Sequence, residues 1–553
     1  MRGAARQSGR HRFPTSAFAA EMGNSMTEMS TVPWWERGVV YQIYPRSFQD
    51  SDGDGVGDLK GIEQRLDYLV ELGVDAIWLS PVFPSPMADF GYDVANYTGI
   101  DPLFGNLAEF DQLLHAAHAR GLKLLLDFVP NHSSDQHPWF KESRSSQDHA
   151  KRDWYIWRDA APDGGPPNNW ISDFGGSSWE WDQATGQYYL HAFLKEQPDL
   201  NWRNPELRAA MMDVLRFWFD RGVDGFRIDV LWHIFKAEGF PDNPINPDYR
   251  PDMGEKLRVL QLHSTNQQEV HDVAADFRSL ADDYGERLLV GEIVLPLEDL
   301  MTYYGRERPG VHLPFNFQLV EAPWDVAVLR KMIVDYEAAL PPGGWPNWVI
   351  ASHDYPRIAA KLGEAQARVA AMLLLTLRGT PTLYQGDELG IGKVEVPPDR
   401  VRDPKELREP GIGLGRDPSR TPMAWDSSTN AGFSSIEPWL PLHEDWRTRN
   451  AAAQHRDPDS MLSLYRTLLK LRRAESALSI GSIQMDQGSE HVLAYRRHHN
   501  TSRIQVLLNL SGTERRWPDR TEPGDLLLST LGSPPPAGWL RPDEGLILRL
   551  EER

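Results

Sequence analysis

The sequence predicts an α/β protein built around a (β/α)8 barrel, with a loop-rich insertion after the third strand and an antiparallel β-sandwich at the C-terminus. Three observations predict this class. Four apolar runs that lie far apart in the chain each end in a carboxylate, residues 132–207 are crowded with tryptophan, proline, glycine and asparagine, and short alternating runs follow residue 461. A parallel barrel gathers the C-terminal ends of its strands on one rim, so the four carboxylates are predicted to meet there.

The barrel strands are predicted from short β-branched or leucine-rich runs that turn residues separate. In chain order these runs are residues 39–44, 76–79, the start of 124–132, the start of 224–233, 288–293, 313–317, 348–351 and 382–384. Aliphatic residues at helical spacing predict helices over 61–73 and 462–471, and alternating runs predict C-terminal strands over 492–496 and 504–509. The pattern therefore alternates strands with helices before it becomes purely β.

Four of these runs carry polar residues where the strand ends. They are 124–132 with Asp127 and His132, 224–233 with Arg227 and Asp229, 288–293 with Glu292, and 348–357 with His353 and Asp354. A single Arg-x-Asp is most often an ordinary ion pair at a strand end. Several acids that converge on one rim indicate catalysis instead.

The four segments resemble the four signature regions of the α-amylase superfamily, glycoside hydrolase family thirteen, whose catalytic domain is a TIM barrel. The matching stretches run from about Trp34 to Trp439. The resemblance implies that Asp229 is the nucleophile, Glu292 the general acid/base, and Asp354 the carboxylate that steadies the distorted sugar. It also implies that Arg227, His132 and His353 bind the substrate beside them.

A retaining glycosidase needs one ionised and one protonated carboxyl group, about 5–5.5 Å apart. Arg227 lies two residues from Asp229 on the same strand face, so we expect its charge to hold the pKa of that aspartate down. Glu292 stands between Gly291 and Ile293, and an apolar setting would raise its pKa. Retention of the anomeric configuration follows if the separation is the short one.

Asp93, in Phe-Gly-Tyr-Asp, and Arg420, in Ser-Arg-Thr-Pro-Met, match family motifs that grip the outer hydroxyls of the terminal glucose. Such a pair predicts a dead-end pocket and therefore an exo-acting enzyme. The segment 197–201, Gln-Pro-Asp-Leu-Asn, resembles the marker of the oligo-1,6-glucosidase branch. Val230, directly after the nucleophile, accompanies acceptance of α-1,6 links in the resembling α-glucosidases.

An acidic loop after the first strand predicts a cation site. Its acids alternate with glycines, which suits a hard cation that takes oxygen ligands. The resemblance implies a structural Ca²⁺ or Mg²⁺ bound by the four carboxylates and one backbone carbonyl of Asp50, Asp52, Asp54, Val56 and Asp58. A merely solvated acidic turn is the alternative.

The predicted domain limits follow these patterns. They are a disordered or mis-called N-terminal tail (1–33), the first part of the barrel (34–131), an inserted domain (132–207), the second part of the barrel with a lid insertion near 386–443 (208–460), and a barrel-closing helix with the C-terminal β domain (461–553).

The composition limits the kinds of binding partner that the chain can have. The chain has 79 acidic and 58 basic residues, a formal net charge of −21 and no cysteine. This excess of negative charge argues against binding to nucleic acid or to an anionic membrane, and no run is apolar enough to span a bilayer. We expect a cytoplasmic monomer or homodimer whose partner is a small-molecule α-glucoside.

The sequence thus predicts a retaining, exo-acting α-glucosidase that hydrolyses maltose, isomaltose and related short oligosaccharides through a covalent glucosyl-aspartate. A transglucosylase or isomerase of the sucrose or trehalose type is the first alternative, because it would use the same intermediate. A catalytically inactive scaffold on the same barrel is the second. The complete set of Asp229, Glu292 and Asp354 argues against that scaffold.

Overall fold

The computed structural model describes residues 32–551. Its central sheet has eight parallel strands in the order β7-β8-β1-β2-β3-β4-β5-β6. The strands are β1 (Val40–Ile43), β2 (Ala76–Leu79), β3 (Lys123–Phe128), β4 (Gly225–Ile228), β5 (Leu288–Ile293), β6 (Leu313–Asn316), β7 (Asn347–Val349) and β8 (Thr380–Tyr384). The predicted parallel barrel is confirmed, and each strand overlaps one of the eight predicted runs.

The barrel closes between β6 and β7 through a side chain. Within residues 32–551 no backbone ladder joins these two strands. Instead, Asn347 accepts a hydrogen bond from the amide of Asn316 (3.1 Å) and donates one to the carbonyl of Pro314. Pro314 has no N–H for a ladder, so the asparagine amide replaces the missing backbone bonds.

Helices cover the outside of the barrel and begin at residues that cap them. Asn106 and Glu109 form a capping box, and Asn204, Asp325 and Ser460 accept bonds from the first amides of their helices. The barrel helices are Leu59–Gln64, Leu66–Leu72, Leu107–Ala119, Pro205–Asp220, Val270–Asp283, Leu297–Thr302, Gln318–Glu321, Val326–Ala339, Ile358–Thr376 and Met461–Ala474. The other helices of the described chain are Trp34–Arg37, Pro138–Ser145, Pro404–Arg408, Ala451–His455 and Ser476–Ser479.

The excursion after β3 folds around its own aromatic core. Three antiparallel strands, Trp157–Arg158, Gln187–Leu190 and Trp179–Asp182, form a small sheet. The rings of Phe140 and Trp157 stack 5.7 Å apart. Most tryptophans of this segment are buried and serve packing, whereas Trp181 is exposed. The predicted domain limits stay predictions, and the predicted N-terminal tail lies, up to residue 31, outside the described residues.

The C-terminal region is antiparallel, as predicted. Five strands form one sheet in the order β9-β10-β11-β13-β12, and Arg515–Arg516 pairs with Trp539–Leu540 in a second. The strands are β9 (Ser482–Met485), β10 (Val492–His499), β11 (Ser502–Asn509), β12 (Gly524–Ser529) and β13 (Gly545–Leu550). In the described part of the chain, no helix has the length and apolarity to cross a membrane.

Two buried arginines, Arg497 on β10 and Arg472 in the helix Met461–Ala474, bind the same helix of the barrel. Arg472 donates to the carbonyls of Leu375 and Leu377, and Arg497 donates to that of Thr376. These oxygens lie at the C-terminal end of the long helix Ile358–Thr376, where the helix dipole favours a cation.

Candidate active site

One guanidinium lies at the centre of the site. Arg227, on β4, reaches Asp127 on β3 (2.8 Å) and Asp229 just beyond β4 (2.6 Å) through Nη1, and Glu292 on β5 (2.7 Å) through Nη2. The parallel register pairs Asp127 with Arg227 and Arg227 with Val290, so adjacent strand ends deliver all of these groups to one rim. All four side chains are buried. The sequence placed Arg227, Asp229 and Glu292 together, and the structure brings them into contact.

The residue after the nucleophile candidate has an unusual backbone. Val230 adopts φ 35° and ψ 45°, a left-handed conformation that costs a β-branched residue about 1–3 kcal/mol. Its amide donates to Oε2 of Glu292 at 2.9 Å. The strained turn thus links the chain at Asp229 to the acid/base candidate, in addition to placing the valine side chain.

Asp354 lies in a second polar group at the end of β7. Its carboxylate is 3.1 Å from Nε2 of His353, and the phenol of Tyr92 is 2.8 Å from the same nitrogen. The rings of Tyr92 and His353 stack 5.5 Å apart at an angle of 3°. Gln42 donates to Nδ1 of His353 at 2.7 Å, which assigns the ring proton to Nε2. Burial lowers the pKa of His353 to about 3, so it acts as a neutral imidazole.

His132 is held by the insertion after β3. Its Nε2 lies 3.1 Å from the amide nitrogen of Gln197, which belongs to the Gln-Pro-Asp-Leu-Asn marker. Burial lowers the pKa of His132 to about 4, and the nearby charge of Lys236 acts in the same direction. Lys236 is itself buried against Asp199 (2.6 Å) and Asn131 (3.0 Å). His132 is therefore a neutral hydrogen-bonding group as well.

The predicted pair of Asp93 and Arg420 is wrong. Among residues 32–551, Asp93 accepts bonds from the Ser85 hydroxyl and from two backbone amides, which leaves its carboxylate fully buried. Arg420 contacts Asp354 at 2.9 Å and the carbonyl of His353. Arg420 thus lies in the site but does not meet Asp93.

A different acid and arginine form the pair. Arg416 reaches Asp89 at 2.8 Å and Asp354 at 3.3 Å, and it also contacts Asp403 at 2.7 Å. Asp89 and Arg416 each stand four residues before the residue that the sequence favoured. Both are buried or nearly so, and they lie beside the Asp354 carboxylate.

The charges of the site shift its pKa values strongly. Burial raises the pKa of Asp229 and of Glu292, and Arg227 only partly opposes this, because one guanidinium faces three carboxylates. The expected downward effect of Arg227 on the pKa of Asp229 is therefore present, but burial outweighs it and the net shift is upward. Burial alone would raise the pKa of Asp354, but His353, Arg416 and Arg420 hold that pKa well below its usual range.

The acidic loop after β1 brings three carboxylates together. Oxygens of Asp50, Asp52 and Asp58 lie within 4.8 Å of one another. Asp58 also caps the helix Leu59–Gln64, and Asp54 accepts a bond from the amide of Val56 at 2.8 Å. A cluster of carboxylate oxygens fits a hard cation such as Ca²⁺ or Mg²⁺.

Comparison with known proteins identifies the family of the chain. A family model of the alpha-amylase catalytic domain matches residues 42–481. The chain belongs to the alpha-amylase family. It is therefore an enzyme, a glycoside hydrolase, and its barrel is the catalytic domain of that family.

Relatives of this alpha-amylase family member cover nearly the whole chain. A probable alpha-glucosidase of Rhizobium meliloti is 42% identical, over 86% of this chain and 89% of its own. An oligo-1,6-glucosidase of Heyndrickxia coagulans is 37% identical, over 94% and 100%. The solved structure of an alpha-glucosyl transfer enzyme superposes with a TM-score of 0.89 at 40% identity, over 94% of this chain and 100% of that one.

Sequence reasoning missed Asp89, Arg416 and the buried pair of Asp199 and Lys236. A signal for two of them was present. Arg416 stands in Gly-Arg-Asp just before the motif of Arg420, and Asp89 directly precedes the Phe-Gly-Tyr-Asp of Asp93. Which acid meets which arginine depends on how two loops face each other, and residue spacing does not record that.

Proposed function

We propose that this glycoside hydrolase is a retaining, exo-acting α-glucosidase. It would release glucose from the non-reducing end of short α-glucosides such as maltose and isomaltose, through a covalent glucosyl intermediate on Asp229. The observation that carries the proposal is that Asp229 and Glu292 bind neighbouring nitrogens of the same guanidinium, at 2.6 and 2.7 Å. That arrangement favours the short carboxylate separation of a retaining enzyme, about 5–5.5 Å, over the about 6.5–9.5 Å of an inverting one.

In the first step, a carboxylate oxygen of Asp229 attacks the anomeric carbon while Glu292 gives its proton to the leaving oxygen. The glycosidic bond breaks, and the glucosyl ester of Asp229 forms. In the second step, Glu292 takes a proton from water, whose oxygen attacks the same carbon and restores Asp229. Asp354 stays ionised throughout, as its low pKa allows. Its negative charge stabilises the positive charge that develops on the sugar ring.

The proton for the first step is supplied by the acid cluster. Asp127, Asp229 and Glu292 share the single charge of Arg227, and burial raises the pKa of all three. The raised pKa values favour the retention of a proton within this group, and its members titrate together. Because Glu292 also accepts the amide of Val230, its proton would lie on the oxygen that faces the leaving group.

The exo mode rests on Asp89 and Arg416. This bidentate-capable arginine and its carboxylate lie beside Asp354 and would bind the hydroxyls at the far end of the glucose ring. A sugar chain could then enter only by its end. His353, with its proton on Nε2, would donate to one of the remaining hydroxyls, and His132 would bind another as a neutral ring.

The linkage preference is proposed from Val230 and from the oligo-1,6-glucosidase relatives. A valine in place of threonine changes shape and polarity at the leaving-group side by about 1–3 kcal/mol. This favours acceptance of α-1,6 links without excluding α-1,4 links.

A transglucosylase is the second candidate, and the similarity to an alpha-glucosyl transfer enzyme favours it. The same intermediate would pass glucose to a sugar hydroxyl in place of water. An isomerase of the sucrose or trehalose type belongs to the same alternative.

We also propose that the acidic loop binds a structural Ca²⁺ or Mg²⁺ through Asp50, Asp52 and Asp58, with Asp54 and the carbonyl of Val56 as the remaining predicted ligands. The three clustered carboxylates support this. The ion would stabilise the loop after β1 and take no part in bond cleavage. A cytoplasmic location and a monomer or homodimer remain predictions, which cell fractionation and analytical ultracentrifugation would test.

The substitution Asp229→Asn tests the assignment of the nucleophile. It keeps the size of the side chain but removes the nucleophilic charge, so turnover of maltose should fall to background while thermal unfolding stays cooperative. Asp224→Asn is the matched control, because Asp224 is buried at the opposite end of the same strand, where it pairs with His118 (2.6 Å). That variant should lose stability and keep turnover. Maltose hydrolysis at wild-type rate by Asp229→Asn would overturn the mechanism.

A further inference from the structure

Three excursions from the barrel meet at one aspartate. Asp173, in the insertion after β3, lies 2.7 Å from Nζ of Lys256, in the excursion after β4. Its other oxygen lies 3.2 Å from Nζ of Lys405, in the helix Pro404–Arg408 after β8. We name Asp173, Lys256 and Lys405 the ionic latch. Its three members come from segments that are far apart in sequence, so it records how these segments pack over the rim.

The loop that follows Asp173 is held by other residues of the same two excursions, after β4 and after β8. Arg408 donates to the carbonyls of Phe174 and Gly175, each at 3.0 Å. The amide of Gly176 donates to Glu255 at 2.9 Å. Residues 173–176 are therefore held by the neighbouring excursions in addition to the hydrogen bonds they make within their own insertion.

The ring of Phe174 lies between the latch and the proposed sugar pocket. Phe174 is buried, and the guanidinium of Arg416 lies 5.2 Å from its ring centroid. Arg416 is the residue that contacts both Asp89 and Asp354. The Phe174 ring also contacts Phe193, which in turn packs against His132. A shift of residue 174 would thus move the groups proposed to hold the far end of the glucose ring.

The latch is permanently charged. Burial acts to raise the pKa of Asp173, but Lys256 and Lys405 hold it well below its usual range. Two cations on one carboxylate leave the cluster attractive at any working pH, so it does not act as a pH switch. Its side chains are 16–32% exposed, which makes it stronger than a surface pair.

We infer that Asp173 is a positioning residue for sugar binding, which acts through Phe174 on Arg416. This rests on the proposed function of Asp89 and Arg416 as the closed end of the glucose pocket. The hydroxyls that Arg416 would bind lie at the far end of the glucose ring from the bond that breaks, so the binding they contribute is largely common to the ground state and the transition state. Asp354 keeps its own 2.9 Å contact with Arg420 when Arg416 shifts, so its charge stays compensated. Loss of the latch should therefore raise KM and leave kcat nearly unchanged.

The substitution Asp173→Asn tests this inference, because it removes the charge and keeps the shape. We expect KM for maltose to rise about tenfold, with kcat within about threefold of wild type. Asp182→Asn is the matched control. It breaks a 2.8 Å ion pair to Arg144 in the same insertion, away from the latch, and should leave KM unchanged while it lowers Tm. A KM for Asp173→Asn equal to that of the control would overturn the inference.

Lys405→Met gives a second approach, which also serves if Asp173→Asn does not fold. This variant should raise KM as well, and the double variant should raise it by less than the product of the two single effects, because both act on one contact. Independent, multiplicative effects would contradict the latch.

Calorimetric titration with glucose separates this inference from the proposed function. If the wild type binds glucose and Asp173→Asn binds it about tenfold more weakly, the latch stands even where hydrolysis is slow. If both bind glucose equally, the latch fails and the α-glucosidase proposal survives. If the wild type neither binds glucose nor hydrolyses maltose, both fail.

Discussion

Arg227→Lys is the perturbation that most directly probes the chemistry of the site. A lysine keeps the positive charge but offers one compact ammonium in place of a planar fork. The guanidinium of Arg227 contacts Asp127, Asp229 and Glu292 at 2.8, 2.6 and 2.7 Å. One ammonium can preserve about one of these contacts, so about two are lost.

The expected magnitude follows from those two contacts. Hydrogen bonds to charged groups contribute about 1.5–3 kcal/mol each, so the loss of two removes about 3–6 kcal/mol of transition-state stabilisation. At about 1.4 kcal/mol for each factor of ten, kcat/KM should fall about 10²–10⁴-fold.

The pH dependence gives a sign as well as a size. Arg227 lowers the pKa of Asp229 against the effect of burial. Its loss raises that pKa further, and because Asp229 must be ionised, the acid limb of kcat/KM should move to higher pH. A carboxyl whose pKa is raised in the folded state still holds its proton there at a pH where it ionises on unfolding. For Asp229 and Glu292 the free energy of unfolding should therefore decrease as pH rises from their ordinary pKa to the raised one.

The assay is kcat/KM for maltose from pH 4 to 9, with thermal unfolding at each pH. Arg278→Lys is the control, because Arg278 pairs with Asp282 at 2.8 Å on the exposed face of a helix and should change stability by less than about 1 kcal/mol. Arg227→Lys with a wild-type rate and an unmoved acid limb would refute the role given to the guanidinium.

Two further predictions concern the pocket end and the metal loop. Asp89→Asn should raise KM about 10–100-fold, whereas Asp93→Asn should lower Tm with little change in KM, because Asp93 bonds only Ser85 and backbone amides among its described contacts. Steady-state kinetics of the two variants check this, and the reverse pattern would restore the pairing that the sequence predicted. Chelation with EDTA should lower Tm, and added Ca²⁺ should restore it. The free energy of unfolding should rise by about 2.7 kcal/mol when the free ion is 100-fold above its Kd. Asp52→Asn should abolish this response, and an unchanged Tm in the wild type would rule out a structural ion.

The barrel and the carboxylates at its rim were predictable because short local segments of the sequence encode both. A strand such as Leu288–Ile293 is a continuous apolar run, and the acid at its end is placed by the barrel without further information. The same holds for Asp229, directly after its strand, and for Asp354, in the loop that follows the strand Asn347–Val349. The antiparallel C-terminal region was predictable from its alternating runs for a similar reason.

The far end of the pocket was not predictable because it depends on tertiary packing. Asp89 and Asp93, like Arg416 and Arg420, stand four residues apart. Only the loop geometry turns Asp93 toward Ser85 and backbone amides and Asp89 toward Arg416. The net direction of the Asp229 pKa shift failed for the same reason, since the sequence shows the neighbouring arginine but not the burial or the third carboxylate.

The central claim, cleavage with retention by Asp229 and Glu292, is tested most directly by proton NMR of the first product. Purified enzyme would be mixed separately with maltose and isomaltose, and the anomeric signals followed from the earliest time points. The account predicts that α-glucose appears first, before mutarotation, and that isomaltose is cleaved as well as maltose. If β-glucose appears first, the enzyme inverts and the assignment of Asp229 as nucleophile is wrong; if new disaccharides predominate over glucose, the enzyme is a transglucosylase.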